Sequence, residues 1–376
     1  MAMARSIRRA SPISLILAAL LSIGFLCFLL SPSQGTPSLP TSKQQHNLPA
    51  SNPLSPPTAA YRKEVVQANG QRTPPPVVHY HLNNLTTSAD PAGNSETVLI
   101  LTPLARFYQA YWDNLEALSY PHHLLALGFI IPKTREGNAA TSALQAAITK
   151  TQSGSEQNRF ASITILRQDF DPPIPSQDEA ERHKLENQKA RRAAMSRARN
   201  SLLFTTLGPS TAWVLWLDSD IIETPATLIQ DLASHDKAII VPNCMQRYTN
   251  QETGKSDIRP YDYNSWQDSP AAQALAAKMA QDEIILEGYR EMETYRTLMA
   301  MLADKNERRD QTKIMSLDGV GGTALLVKAE VHRDGAMFPP FAFYHLIETE
   351  GFAKMARRLG WSCWGLPNYF VYHYDE

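Results

Sequence analysis

The segment WVLWLDSDIIET, residues 213–224, constrains the fold of this 376-residue chain more than any other. A mostly apolar run leads into Asp218-Ser219-Asp220, and the apolar character resumes at once with Ile221 and Ile222. Surface loops collect aspartate readily, but they rarely lie between two such runs. The segment therefore predicts a buried strand that ends in two carboxylates.

Short apolar segments alternate with helical segments from Glu96 onward. Because short apolar strands separated by helices are typical of sheets covered on both faces, the pattern predicts an α/β domain with a mostly parallel sheet. The predicted strands are residues 97–101, 126–131, 163–166, 212–217, 238–241 and 323–327. The predicted helices are residues 107–117, 179–207, 225–234 and a long run from 271 to about 309.

The N-terminal residues predict a membrane anchor. Arg5, Arg8 and Arg9 precede an uncharged apolar run at residues 13–30. A membrane-spanning helix needs roughly 20 apolar residues, whereas the apolar region of a cleaved signal peptide, the alternative, usually has about 7–15. Arginines on the short side favour a cytoplasmic N-terminus. The interpretation is a cytoplasmic tail at 1–12, a signal anchor at 13–30 and a lumenal remainder.

Residues 31–95 are rich in Pro, Ser, Thr, Gln and Asn. Such a composition buries too little apolar surface to offset the entropy of ordering, so it predicts a disordered lumenal stem. Asn84-Leu85-Thr86 is an N-glycosylation sequon that fits this location. Anchor, stem and globular domain together are the layout of a Golgi-resident enzyme and of many other type II membrane proteins.

Charge and cysteine content limit the partners and the redox chemistry. A net charge of −1 provides no positive field that would attract nucleic acid. Three cysteines are too few for a disulfide framework. Cys244 and Cys363 remain open to pairing or to staying as buried thiols.

The Asp-x-Asp motif predicts a divalent-cation site. Ligands of open parallel sheets bind beyond the carboxyl ends of the strands, which places Asp218 and Asp220 at the working edge. Two neighbouring carboxylates repel each other unless a proton or a cation lies between them, and Mg²⁺ and Mn²⁺ prefer carboxylate and phosphate oxygens. Such an ion would stabilise a leaving diphosphate. The alternative is two surface aspartates that cap the next helix.

Collinear blocks across residues 96–376 carry a more specific resemblance. They are VLILTPLARF (98–107), NLEALSYPHHLLALGFIIPKT (114–134), ARRAAMSRARN (190–200), VLWLDSDI (214–221), RPYDYNSW (259–266), LDGVGGTALLVKAEVHRDGAMFPP (317–340), ETEGFAKMARRLG (348–360) and GLPNYFVYHYDE (365–376). These blocks resemble the fungal mannan polymerase subunits, the membrane-anchored Golgi α-mannosyltransferases of glycosyltransferase family 62. The resemblance implies a Rossmann-like GT-A fold, GDP-mannose as donor, Mn²⁺ as the metal and retention of anomeric configuration. It also implies a mannan or N-glycan acceptor, other mannan polymerase subunits as partners, and the Golgi membrane as location.

The resemblance also implies roles for individual residues. Asp218 and Asp220 match the metal-binding pair, and His373 matches a third ligand; the alternative is that His373 is an aromatic-flanked core histidine. Ser219 is expected near the ribose. The backbone of Thr102, Pro103 and Leu104 is expected to form part of the nucleotide cradle.

Arginines and two further carboxylates complete the expected site. Arg191 matches a position near the diphosphate, where a guanidinium would stabilise the leaving group. For this cluster, which also includes Arg192, Arg197 and Arg199, the alternative is a solvated basic face. Asp262 and Glu350 are candidates for acceptor binding or transition-state stabilisation; alternatively, each is a turn-capping or salt-bridged carboxylate.

The glycines of DGVGG (Gly319, Gly321, Gly322) predict a tight turn near the acceptor. They do not form a dinucleotide-binding fingerprint, because their spacing differs and a strand follows them.

Three functions remain open from the sequence. The first is an active α-mannosyltransferase that forms α-1,6 or α-1,2 linkages. The second is a mainly structural subunit of a polymerase complex. The third is a related transferase that uses another sugar nucleotide, because no residue visibly specifies guanine or mannose.

Overall fold

The computed structural model describes residues 79–80, 82, 86–168, 184–252, 254–306 and 308–375. Most of the described residues follow the predicted stem, and all belong to the unit Asn52–Glu376. The predicted tail, the predicted anchor, most of the predicted stem, and Asn84 and Leu85 of the sequon lie outside the described residues. Within the described ranges, every helix is too short or too polar to cross a bilayer.

A mixed sheet forms the centre of the domain. Its strands are β1 (Val98–Pro103), β2 (Leu125–Pro132), β3 (Ser162–Gln168), β4 (Trp213–Leu217), β5 (Ile221–Glu223), β6 (Ile239–Thr249), β7 (Ser256–Pro260), β10 (Met315–Leu317), β11 (Ala324–Lys328) and β12 (Cys363–His373). A separate pair is made by β8 (Trp266–Gln267) and β9 (Thr297–Leu298). The main strand order is β10-β12-β6-β11-β4-β1-β2-β3, while β5 pairs with β12 and β7 with β6.

The strand directions show how far the sheet departs from a purely parallel one. Strands β3, β2, β1 and β4 are parallel to one another. Strand β11 is antiparallel to both β4 and β6, so β6 and its parallel neighbour β12 run in the same direction as β4. The predicted α/β sheet is confirmed, but it is mixed, because β11, β10, β5 and β7 run in the opposite direction.

Helices cover both faces of the sheet, as the buried strand pattern requires. In β4, Trp213, Leu215 and Leu217 pack into one core cluster, and Val214 and Trp216 pack into the other. The helices are α1 (Gln109–Glu116), α2 (Arg135–Ser153), α3 (Leu185–Thr206), α4 (Leu228–Ala233), α5 (Pro270–Ala276), α6 (Ala329–Arg333) and α7 (Glu348–Arg358). The first cluster includes side chains of α1, α2 and α4; the second includes side chains of α3, α6 and α7.

The long helix predicted from residue 271 to about 309 is wrong. Ser269 caps the short helix α5 by accepting a hydrogen bond from the amide of Ala272 at 3.0 Å, and turns come after it. Gly288 and Tyr295 have left-handed φ angles of 85° and 54°, which a continuous helix does not accommodate. The amide of Ile285 donates instead to the carbonyl of His345 at 2.7 Å. Residues 277–296 therefore form a covering segment, held by contacts with the chain before α7.

Several elements were not predicted from the sequence, and the longest of them are α2, α7 and β12. The apolar pattern of β12 is interrupted by Pro367 and Asn368, and the pairing of β12 with β6 shifts register between Leu366 and Phe370. The strand forms because β6 and β5 supply backbone partners on both sides. In this region, Cys244 and Cys363 are buried free thiols, which settles the pairing left open by the sequence.

Candidate active site

The Asp-x-Asp motif forms a turn at the end of β4. The amide of Asp218 donates to the carbonyl of Thr323, just before β11, at 2.9 Å. The carbonyl of Asp218 then accepts a hydrogen bond from the amide of Ile221 at 3.1 Å. The chain continues directly into the strand β5, not into a helix, so the alternative of a helix cap at this motif is wrong. The turn explains why apolar residues resume immediately after the two carboxylates.

The same turn brings Asp220 to His373. Strand β5 pairs with β12 through Ile221 and His373, and the amide of Tyr374 donates to the carbonyl of Asp220 at 2.8 Å. As a result, Oδ2 of Asp220 lies 3.1 Å from Nε2 of His373. The His373 ring is also buried and stacked on Tyr261, with ring centroids 3.6 Å apart. The two interpretations of His373 are therefore compatible: it is a packed core residue that faces a carboxylate.

The orientation of the His373 ring bears on what lies between it and Asp220. Nδ1 is 2.8 Å from the carbonyl oxygen of Tyr374, to which it can donate only if it carries the proton. In the neutral ring, Nε2 then directs a lone pair at the carboxylate of Asp220. Two acceptors at this distance repel each other unless a proton or a cation lies between them. The pair is therefore suited to share a proton or to hold a cation.

Arg199 holds the other carboxylate of the motif. Its Nη2 donates to Oδ1 of Asp218 at 2.8 Å, and its Nε donates to Oε1 of Glu348 at 3.4 Å. Burial raises the pKa of Asp218 to about 7 against the opposing effect of Arg199, and the charges of Asp220 and Glu348 raise it further. Asp218 is thus an ion-paired carboxylate whose charge is costly to keep.

The arginines of α3 divide between the cavity and the solvent. Arg197 is exposed, as the solvated-face alternative predicts. Arg191 is half-buried and lines the cavity together with the buried Arg192 and Arg199. The spacing of Arg192 and Arg199 is seven residues, or two helical turns, which places both on one face. The sequence contained that signal, but only the structure shows that this face is buried.

Asp262 lies on the cavity wall in a fixed orientation. Its Oδ1 accepts hydrogen bonds from the amide and the side chain of Asn264 at 2.9 and 2.8 Å. Its Oδ2 accepts one from Thr323 at 3.2 Å, and burial raises its pKa. A Cβ at Gly321 would lie 1.7 Å from this Oδ2. Gly321 has no left-handed φ, so a side chain is excluded by the close approach of Asp262 and not by the backbone of a tight turn.

Glu350 lies behind the cavity wall and not on it. Its side chain is fully buried, and its two oxygens accept hydrogen bonds from Arg192 at 2.8 Å and from the indole of Trp266 at 2.7 Å. Burial raises the pKa of Glu350, while Arg192 acts in the opposite direction. The salt-bridged alternative describes this geometry. Two residues earlier, Glu348 lines the cavity, and it was not singled out from the sequence.

The residues expected to cradle the nucleotide lie close to the turn in the fold. Thr102 is fully buried at the carboxyl end of β1 and shares a 2.5 Å hydrogen bond with the hydroxyl of Tyr111. The amide of Leu104 donates to the carbonyl of Ile130 at 2.9 Å. Pro103 is half-buried between them, and Ser219 is buried within the turn. None of these four residues borders the cavity beside the motif. Their predicted role in nucleotide binding stays a prediction.

The cavity beside the motif has a volume of about 400 Å³. The covering segment contributes Glu287, Gly288 and Tyr289 to its wall. Its other lining residues are Gln188, Arg191, Arg192, Met195, Arg199, Asp218, Asp220, Tyr261, Asp262, Tyr263, Asn264, Gly322, Thr323, Glu348, Thr349 and His373. Within the described part of the chain, no group of three or more His, Cys, Asp or Glu side chains is arranged to hold a metal ion.

Comparison with known proteins identifies the family. The family model described as Anp1 matches residues 76–342. The chain belongs to the Anp1 family. This Anp1-family chain is 55% identical over 300 residues to the mannan polymerase complex subunit MNN9 of Candida albicans, covering 80% of each protein. It is 56% identical over 297 residues to the mannan polymerase complex subunit mnn9 of Schizosaccharomyces pombe, covering 79% of this chain and 86% of that one. The resemblance to mannan polymerase subunits is therefore confirmed.

A solved structure also aligns with the Anp1-family chain. It is that of the mannosyltransferase PcManGT from Pyrobaculum calidifontis in complex with GDP-Man and Mn²⁺. The two sequences are 10% identical, the alignment covers 79% of this chain and 60% of PcManGT, and the TM-score is 0.39.

Proposed function

We propose that this Anp1-family chain is a retaining, GT-A-type α-mannosyltransferase. It moves mannose from GDP-mannose to the α-mannan chains of N-linked glycans, as a subunit of a mannan polymerase complex. The observation that carries the proposal is the arrangement of Asp218, Asp220 and His373 around one cavity, which Arg191 also lines. Together they supply carboxylate and imidazole groups for a cation and a guanidinium for a diphosphate.

The side chains at this cavity fit a divalent cation such as Mn²⁺. Asp220 and His373 would hold it, because the lone pair of Nε2 and the carboxylate face each other at 3.1 Å. Asp218, whose Oδ1 is bound to Arg199, has its second oxygen left to contribute. Ions of this type are commonly held by only one or two carboxylates, with water and substrate phosphates as the other ligands. When bound, the ion would neutralise charge on the leaving diphosphate.

The side chains of the cavity suggest how transfer proceeds. Arg191 donates hydrogen bonds to the departing diphosphate and lowers the cost of its developing charge. Asp262 receives the acceptor sugar, since Asn264 and Thr323 hold its carboxylate in one orientation. The acceptor oxygen attacks the anomeric carbon from the side of the leaving group, and its proton passes to the departing phosphate oxygen. This front-face course retains the configuration without an enzyme nucleophile.

The location and the partners are part of the same proposal. The chain is a single-pass type II protein of the Golgi membrane, anchored by residues 13–30, with its catalytic domain in the lumen. Its macromolecular partners are other mannan polymerase subunits, in line with the names of its relatives.

Transfer by the purified full-length chain tests the proposal. The chain is incubated with GDP-[¹⁴C]mannose, Mn²⁺ and a panel of mannosides, alone and with candidate partner subunits. We expect radioactive α-linked products, whose anomeric configuration is read by NMR. β-Linked products would overturn the retaining mechanism, and a mannosyl adduct on Asp262 or Glu350 in intact-protein mass spectrometry would overturn the front-face course. GDP-mannose binding without transfer under any condition would instead indicate a structural subunit.

A further inference from the structure

Arg199 lines the cavity and has a buried hydrogen-bond donor that is not used within the described part of the protein. Its side chain is 2% exposed and lies near the rings of Trp216 and Phe338, with its guanidinium carbon 5.5 and 5.6 Å from their centroids. Among the described residues, its Nη1 has no hydrogen-bond partner. A buried guanidinium donor without a partner is costly, so a bound ligand is the natural acceptor for it.

Glu348 stands beside this donor in an unusual backbone conformation. Its φ is 55°, a left-handed value that side chains other than glycine rarely adopt. The conformation is held by a hydrogen bond from the amide of Glu348 to the carbonyl of Pro339 at 3.1 Å. Strain of this kind is concentrated at ligand-binding sites, where it fixes a side chain that relaxed backbone would direct elsewhere.

The backbone of Gly322 packs closely against the guanidinium of Arg199. A Cβ at Gly322 would lie 3.0 Å from Nη2 of Arg199 and 2.7 Å from Cγ2 of Thr349. Any residue larger than glycine would therefore press on Arg199 and on the residue that follows Glu348. Glycine at position 322 therefore lets Arg199 keep its position at the cavity.

The charges around Arg199 decide which ligand chemistry fits. Its positive charge is already opposed by two carboxylates, those of Asp218 and Glu348. A phosphate there would meet a net negative environment, which disfavours it. Glu348 can accept hydrogen bonds from hydroxyls, and Nη1 can donate one to a hydroxyl or ring oxygen. A neutral ring with several hydroxyl groups satisfies both.

We propose that Arg199 and Glu348 form a sugar-binding site that holds hydroxyl groups of a hexose, with Asp218 fixing the guanidinium. The proposal rests on the proposed function for the existence of a sugar substrate and names the residues that hold its ring. The sugar is either the transferred mannose of the donor or a mannose of the acceptor. Both present the same chemistry to the pair.

Equilibrium binding measurements on the full-length chain in the presence of Mn²⁺ distinguish the donor mannose from the acceptor mannose. The ligands are GDP-mannose, GDP and α-1,6-mannobiose, and the variants are Glu348→Gln and Arg199→Lys. In both variants we expect affinity for at least one sugar ligand to fall about tenfold, the loss of one charge-assisted hydrogen bond. In Glu348→Gln, affinity for GDP should change less than about twofold. A loss confined to GDP-mannose identifies the transferred sugar, and a loss confined to mannobiose identifies the acceptor.

Two results would overturn the site. One is an equal loss of GDP affinity, which would assign the pair to the nucleotide or the cation. The other is unchanged affinity for both sugar ligands in Glu348→Gln, a nearly isosteric variant whose melting temperature checks its fold. Arg333→Lys is the control, because Arg333 donates to the carbonyls of Gly208 and Thr211, which precede β4 at the opposite edge of the sheet. If the wild-type chain binds mannobiose but not GDP-mannose, the proposed function fails, and the mannobiose measurement alone decides this site. Failure of the wild type to bind either sugar ligand would overturn both.

Discussion

Arg192 donates a hydrogen bond from Nη1 to Oε2 of Glu350 at 2.8 Å, and both side chains are buried. The other arm of Arg192 donates to Oδ1 of Asn264 at 2.9 Å, and Asn264 in turn holds Asp262. The buried ion pair is thus connected to a carboxylate on the cavity wall. Glu350 acts through Arg192 and Asn264 as a positioning residue.

Breaking this ion pair should be costly. In Glu350→Gln, the buried charge of Arg192 loses its counter-ion, so we expect the free energy of unfolding to fall by about 3–5 kcal/mol. Urea denaturation measures it. The matched control is Glu223→Gln, because Glu223 and Arg247 form an ion pair that is about half exposed and should be worth less than about 1 kcal/mol. Equal effects of the two variants would contradict the structural role given to Arg192 and Glu350.

Removing the Asp-x-Asp carboxylates should nearly abolish transfer while leaving the fold intact. We expect this for both Asp218→Asn and Asp220→Asn, because each removes charge from the side that faces the cation and the diphosphate. EDTA should inhibit the wild-type chain and added Mn²⁺ should restore its activity, as monitored by [¹⁴C]mannose incorporation. Full activity in the presence of the chelator would show that both residues are ordinary ion-paired carboxylates that bind no cation.

His373 should affect nucleotide binding through the cation. In His373→Ala, Asp220 loses its imidazole neighbour, and we expect the Mn²⁺-dependent affinity for GDP to fall about tenfold or more. Calorimetric titration with GDP in the presence and absence of Mn²⁺ measures the difference. His123→Ala replaces an exposed histidine on the surface and serves as the control. Unchanged GDP affinity in His373→Ala would leave His373 as a core residue only.

Gly321 should tolerate no side chain. In Gly321→Ala, the new Cβ would meet Oδ2 of Asp262 at 1.7 Å, so this carboxylate must move. We expect a loss of about 1–3 kcal/mol in the free energy of unfolding, typical of overpacking, and a higher KM for the acceptor. In Gly208→Ala, the Cβ meets only Oγ1 of Thr211 at an ordinary 3.6 Å, and neither quantity should change. A normal acceptor KM in Gly321→Ala would show that Asp262 does not bind the acceptor.

The raised pKa of Asp218 makes stability depend on pH. A carboxyl whose pKa is about 7 in the folded state and about 4 in the unfolded state binds more protons when folded between these values. Its contribution to the free energy of unfolding therefore falls as pH rises from about 4 to 7. Denaturation in EDTA should show the wild type losing stability relative to Asp218→Asn across this window. A difference that is independent of pH would contradict the raised pKa.

The sequence by itself determined the central strand and the position of the carboxylates after it. Residues 213–217 carry no charged side chain, and a run of this kind is stable only in the interior of a sheet, which forces Asp218 to its carboxyl end. The same local reasoning located the strands β1, β2, β3, β6 and β11. For β1, β2, β6 and β11 it did so because burial on both faces leaves a continuous apolar run in the sequence. The edge strand β3 is only partly buried, but it contains the short apolar segment 163–166.

Only the tertiary structure decided which charged residues meet at the cavity. Arg199 and Glu348 come from different helices, and each looks like an ordinary charged residue in its own segment. Residues 277–296 have a helix-like composition, yet they form turns because the chain near His345 offers them backbone partners. A buried charge and an unwound segment are stable only when a partner arrives from elsewhere in the chain. Local sequence patterns do not identify that partner, because only tertiary packing brings the two segments together.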